Sequence, residues 1–520
     1  MENRYNLIDE KWIPVFGREN AKSPAESSFM ASLSDIFADS SGILSLRGNA
    51  VEKIAVFKLL LAIVQSACPL EKEQDWQALG LCGMRKRTRE YMQKWHDSFW
   101  LYGEKPFLQF PALKEKCRES KQCCNFKIGI ASGNNSVVTQ FQTDTAMDDA
   151  DKALLVIVLM NFALGRNGIM SDLYKNEKKS IAKPGHSINS GLLHSFVLMP
   201  SLTESVYINM LSEESIKEIH GRGNKYSSIG KAPWENMPQG VDDDLAGKLK
   251  ESYMGRLIGL GRFILLEENK IYITEGIRHY GLNELTADPS AAVILTEKGK
   301  MKPLLADTNK RPWRNLPSLL SFTGNAAKDG FICCQLMKTL TEQRLKTLGH
   351  GYFYVWSGGL SIEKNTSGTQ TEGDFVESKI EISREVFSDG FYENMAKAFE
   401  YMDNIAKGCE NAIEQYFKLF QPPSEKKDKK GADIAGKGLS DYWQMCEKDF
   451  PDVIKDCGDS SGESIKPFEQ KFYFHALEVY NEKCPKSTPR QLEAWAAGKN
   501  KLKSKLPESK GEKNGRKTRK

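Results

Sequence analysis

No stretch of this 520-residue chain stays apolar for long. The longest clean run, Ala153 to Met160 (ALLVIVLM), falls far short of the ~20 residues a bilayer span needs. A membrane-spanning helix is therefore excluded. The opening residues, MENRYNLIDEKW, lack a basic region followed by an apolar stretch, so no secretory leader is expected and the chain is placed in the cytoplasm. CxxC pairs are missing among the 11 cysteines, and none of the seven histidines forms HxxxH or HExxH. Zinc-finger and zincin ligand sets are thereby excluded. An odd cysteine count without a leader fits reduced thiols that pack as small core hydrophobes.

Catalytic signatures are equally scarce. No GxSxG elbow supports a hydrolase. Gly221-Arg222-Gly223-Asn224-Lys225 has the flavour of a phosphate loop but not the GxxxxGK[ST] spacing or a preceding strand. Acidic groups such as Asp148-Asp149 and Asp242-Asp243-Asp244 could hold magnesium, yet helix starts and solvated loops account for them more simply. The reading is a binding protein rather than an enzyme, with no catalytic residue, cofactor or metal.

What is present is enough apolar material for several cores. Hydrophobic residues make up 40 % and aromatics 10 %, which excludes a wholly disordered chain. At roughly 150 residues per domain the length suggests two to four domains. Net charge is +5, but residues 501–520 carry nine Lys/Arg and two Glu, a local +7, leaving −2 for the rest. The basic character belongs to the tail, which reads either as a solvated end or as a phosphate-seeking arm.

Along the chain, Tyr5 to Val15 reads as a strand entering a proline turn. Asn49 then offers a helix cap with Glu52 three positions on, followed by Ile54, Phe57, Leu60, Leu61 and Val64 at helical spacing to about Ala67. Asp149 or Asp151 caps a second apolar helix, predicted to reach Leu164 and stop at Gly165-Arg166-Asn167-Gly168. Gly221 to Gly240 reads as a long surface loop. RFILLEE, KIYIT and AAVIL, between Arg262 and Leu295, are β-leaning, as is YFYVWSGGLSIEK. From Phe391 to Phe420 apolar residues recur every three or four positions. Pro422-Pro423 and a charged linker follow, then helices around Tyr442 to Phe450 and Phe468 to Tyr480. The expected fold is mixed α/β: a large irregular α+β domain over residues 1–380, an antiparallel four-helix bundle over 381–500 and a basic disordered tail over 501–520.

Two features could serve binding. Gly165 and Gly168 let the backbone approach a minor groove or phosphate, but the same pattern suits a helix C-cap. Arg85-Lys86-Arg87-Thr88-Arg89 could touch DNA or form a solvated helix face.

Five stretches then occur in one order: NLIDEKWIPV at the start, SGNN at Ser132–Asn135, FALGRNG ending at Gly168, Pro233-Trp234, and RPWRNLPSLL from Arg311. With a helical C-terminal region they resemble the CasA family, the large subunit of the type I-E CRISPR Cascade surveillance complex. The resemblance implies that guide crRNA held by other subunits pairs with the target, while this subunit reads the short flanking PAM duplex through its minor groove. It also implies that a wedge on a hairpin splits the first base pairs and opens the R-loop. The bundle is then expected to help lock the displaced single strand, and a separate helicase–nuclease is recruited to cut.

Residue by residue, Gly165, Arg166, Asn167 and Gly168 match the family's glycine loop. The wedge is expected within Ser361 to Asn365, with Lys364 and Asn365 leading; other members carry a glutamine there, and the nearest here is Gln370. Arg278, before the Asp288-Pro289 turn, is the closest cation to the family's basic finger, where others have lysine. Asn134, Asn135, Val138 and Gln140 match the first loop near guide and PAM, with Val138 where relatives carry an aromatic. Some relatives have a cysteine cluster before the finger; here none lies between Cys124 and Cys333, so no structural zinc is expected. The competing readings are a protein-only scaffold and an unrecognised nucleic-acid enzyme.

Overall fold

The computed structural model describes residues 2–18, 27–117, 119–127, 146–162, 191–218, 228–241, 243–277, 279, 288–295, 301–323, 331–332, 334–364, 370–420, 429–459 and 461–504. They fall into two compact units, Met1–Glu381 and Ile382–Lys520.

In the first unit, Asn49 and Glu52 form the anticipated capping box. The Glu52 amide donates to Asn49 Oδ1, and the Asn49 amide to Glu52 Oε2, both at 3.0 Å. The helix they open runs Ala50–Ala67. It is buried on nearly every side, including Lys58 and Gln65, rather than along one stripe. Such a helix belongs in the middle of a large core. It packs against the helices Glu73–Lys94 and Asp149–Asn161 and against the strand Tyr352–Lys364.

The sheets around this helix are small. Among the described residues there are five, each of two or three strands. The longest strands, Tyr352–Lys364 and Gln370–Ser383, form one sheet with His194–Leu198, and Tyr352–Lys364 lies in the middle. RFILLE and KIYITE pair antiparallel as Arg262–Glu267 and Lys270–Glu275. The mixed helix-and-sheet architecture read from the sequence is borne out.

Several local expectations shift. Tyr5 to Val15 is not one strand: Arg4–Asn6 and Ile13–Gly17 are separate strands, and Pro14 sits inside the second, opposite Met30. The helix carrying ALLVIVLM spans Asp149–Asn161 and is capped by Asp148, whose Oδ1 accepts from the Asp151 amide at 2.7 Å. It ends three residues short of Leu164 because Phe162 leaves helical geometry. Trp234, expected on a surface loop, is 7 % exposed and packs against Phe99 and Phe107.

Among the described residues the second unit holds four long helices, Phe391–Phe420, Lys429–Asp456, Lys466–Lys483 and Pro489–Lys503. The stripe Met395, Met402, Ile405, Cys409, Ala412 and Tyr416 is buried as its spacing requires. Asn394, near the start of the first helix, bonds the Cys457 and Asp459 carbonyls beyond the end of the second, so these two run antiparallel. The second helix is far longer than Tyr442–Phe450 and carries Pro451 inside it. The fourth begins with a Thr488/Gln491 capping box and continues through Lys503, into the stretch expected as tail.

Candidate nucleic-acid interface

The geometry is clearest at the roots of the segments singled out above. Arg278 and residues 280–287, the segment expected to form the basic finger, lie outside the described residues, but both flanks are described. His279 is 4 % exposed and its Nε2 donates to the Gly259 carbonyl at 2.6 Å. Burial, with Arg256 nearby, pulls the imidazole down to about 3. It is therefore a neutral anchor at physiological pH.

At the other flank, Asp288 is 2 % exposed. Its Oδ2 takes the Lys58 ammonium at 2.9 Å, and its Oδ1 accepts from the Ser290 amide at 3.0 Å and from Ser290 Oγ at 2.6 Å. Burial alone would raise this carboxyl. The charge of Lys58, aided by His194 and the serine bonds, outweighs it and holds the group well below the usual carboxylate range. Burial likewise pulls the Lys58 ammonium below its ordinary value, with Asp288 opposing the pull. Lys58 also donates to the Arg256 carbonyl at 3.0 Å.

Ser290 links this pair to His194, whose Nδ1 lies 2.7 Å from Ser290 Oγ. The serine hydrogen goes to the carboxylate, which can only accept, so Nδ1 is the donor to Oγ. His194 is wholly buried at the start of its strand. It bridges Ala291 just past the finger, pairs with Gly358 on the hairpin strand, and meets the Phe162 ring edge-on at 6.0 Å between centroids. Phe162 is the first residue of FALGRNG and the last described one before Gly165. One residue thus joins the flanks of three segments that the chain holds far apart, its backbone pairing with Ala291 and Gly358 and its ring meeting Ser290 and Phe162.

Serine, histidine and aspartate in one network invite comparison with a hydrolase triad. The connectivity differs, because the serine rather than the histidine takes the carboxylate. Ser290 is also only 1 % exposed. Among the described residues no group of three or more His, Cys, Asp or Glu side chains could hold a metal ion.

The hairpin strand carries its two glycines in mid-strand, not at a turn. A Cβ on Gly359 would strike the Leu192 carbonyl and lie 3.0 Å from Ala306 Cβ, so the close approach requires glycine. Ser361 is half-buried within this strand, which ends at Lys364. Asn365 lies outside the described residues, as do Asn134, Asn135, Val138, Gln140, Gly165, Arg166, Asn167 and Gly168. Gln370 opens the second hairpin strand.

The basic run on the helix Glu73–Lys94 is partly spoken for. Arg89 grips Asp39 through both carboxylate oxygens at 2.7 and 3.0 Å, and Arg85 donates to Thr203 Oγ1 at 2.7 Å. Lys86 and Arg87 are exposed. Sequence reading missed Lys58 and His194. The available signal for Lys58 was a lone charge inside IAVFKLLLAIV, where only a buried partner makes it tolerable.

Comparison with known proteins gives this architecture a class. The model of the CRISPR-associated protein Cse1 family matches residues 6–479, and the chain belongs to that family, whose members are also called CasA. The resemblance read from motif order is borne out. CasA/Cse1 of Thermus thermophilus is 24 % identical over 344 residues, 62 % of this chain and 61 % of that protein. The aligned part thus spans less than two thirds of the relative's length. The fold is similar to a crystal structure of Thermus thermophilus CasA (TM-score 0.73, 17 % identity, 97 % of this chain and 99 % of that one). It is also similar to Thermobifida fusca Cse1 (0.73, 14 %, 97 % and 98 %) and to a chain of a CRISPR RNA-guided surveillance complex (0.72, 14 %, 96 % and 99 %). Among the described residues no helix is long and apolar enough to cross a membrane.

Proposed function

We propose that this chain is the large, non-enzymatic subunit of a type I-E CRISPR surveillance complex. It reads the PAM duplex beside the target and helps open the first base pairs for the guide crRNA. The other subunits and crRNA are its standing partners, double-stranded target DNA and the displaced strand its ligands, and a separate helicase–nuclease its effector. The domain division at about residue 380 separates PAM reading from the bundle's hold on the displaced strand. The observation that carries this reading is the convergence on His194. Residues flanking the glycine-loop, finger and hairpin segments meet at one buried junction, which supports the reading because a short duplex can be read by three segments together only if their roots are fixed mutually.

The test uses the chain reconstituted with its partner subunits and guide. Replacing Gly165 or Gly168 by a bulky residue abolishes PAM-dependent targeting while the complex still assembles. Replacing Lys364 and Asn365 together by alanine slows R-loop formation on fully paired targets. That defect vanishes on targets pre-opened next to the PAM, where no pairs remain to split. Equal defects on both targets would remove the wedge role. DNA binding unchanged by any of these variants would leave a protein-only scaffold.

A further inference from the structure

The ion pair between Lys58 and Asp288 is an expensive way to fill a core. Both side chains are almost wholly buried, at 1 % and 2 % exposure. Two buried charges of this kind often gain nothing over apolar groups of the same volume. What an apolar pair cannot supply is direction. Asp288 has both oxygens committed, one to Lys58 and the other to the Ser290 amide and hydroxyl. The hydroxyl in turn orients the His194 ring. The chain of bonds therefore runs from the middle of the core helix, through the distal flank of the finger, to the residue that faces Phe162 and Gly358.

We infer that Lys58, Asp288 and Ser290 are positioning residues for flanking-duplex recognition. They lock the finger's root to the core helix and, through His194, set its register against the glycine loop and the hairpin. The inference rests on the PAM-reading function proposed above. None of the three needs to touch DNA. Their role is to hold groove contacts made by other residues within the few tenths of an ångström that such contacts tolerate.

The test is a reconstituted complex carrying Lys58→Met with Asp288→Leu, which removes the directional bonds but leaves no unpaired buried charge. The readout is the ratio of affinities for a duplex target with the correct flank and one with a scrambled flank. Binding of a single-stranded complementary target, which has no flanking duplex to read, is the control. The expected result is a ratio reduced roughly tenfold, about the discrimination of one good groove contact, with assembly and single-strand binding at wild-type level. Ser290→Ala, which deletes only the link between Asp288 and His194, lowers the ratio in the same direction without changing core volume. A second ion pair in this unit, with Arg344 fully buried and Glu73 37 % exposed, supplies the comparison. Arg344 grips Glu73 by Nε and Nη2 at 2.7 and 2.6 Å, and Arg344→Met with Glu73→Leu leaves the ratio unchanged. A wild-type ratio in both the Lys58/Asp288 and the Ser290 variants overturns the positioning role, as does an equal fall in the Arg344/Glu73 control. A wild-type complex indifferent to its flank overturns the PAM reading itself.

Discussion

His194 donates from Nδ1 to Ser290 Oγ at 2.7 Å, and that same oxygen donates to Asp288 at 2.6 Å. The two residues are 96 positions apart in the chain, yet their bond joins the flank of the finger to the strand beside the hairpin. Four consequences for the isolated chain can be measured.

Lys58→Met alone strands the Asp288 carboxylate in the core. Unfolding in urea, followed by tryptophan fluorescence, is expected to show a loss of about 3–5 kcal/mol. Adding Asp288→Leu recovers most of it, because the unpaired charge is then gone. A single variant as stable as wild type would mean that the pair is not ionised in the folded chain.

His279 makes stability depend on acidity. Unfolded, it takes a proton near its ordinary 6.5; folded, only at about 3. Between these values the unfolded chain binds more protons. Its contribution is therefore complete above pH 6.5 and is lost as pH falls through that window, by up to ~1.4 kcal/mol per unit. His279→Gln keeps a donor for the Gly259 carbonyl and should flatten the wild-type slope between pH 6.5 and 4. Parallel curves for the two proteins would contradict the buried neutral imidazole.

Gly359→Ala pushes a methyl group against the Leu192 carbonyl and Ala306. Since backbone has to move, a cost of roughly 1–3 kcal/mol is expected. Gly351→Ala is the control, since a Cβ there meets nothing within 4 Å. Thermal unfolding of both variants checks the difference, and equal melting temperatures would refute the close approach.

In the second unit, Gly498 sits where the fourth helix crosses the first. Its Cβ would lie 2.6 Å from the Ala412 carbonyl and strike the Tyr480 hydroxyl, which itself donates to the Trp495 carbonyl at 2.8 Å. Gly498→Ala gains helix propensity but forces the two helices apart. Faster amide exchange over Pro489–Lys503 is the expected outcome. Unchanged protection there would show that the contact is slack.

Local sequence determined a good deal of this protein. The Asn49/Glu52 box and the three-and-four spacing from Phe391 to Phe420 act within a few turns, so their helices are legible from the chain alone. The motif order carried the family. Other boundaries were not legible: Phe162 ends its helix, and the second bundle helix absorbs a glycine-rich stretch, because packing overrides weak local propensity. Lys58 and His194 were passed over in the sequence, and Asp288 read only as part of a turn. Only the tertiary structure decided that they form one junction, since a buried charge declares its purpose through its partner, and no spacing rule spans the 230 residues from Lys58 to Asp288.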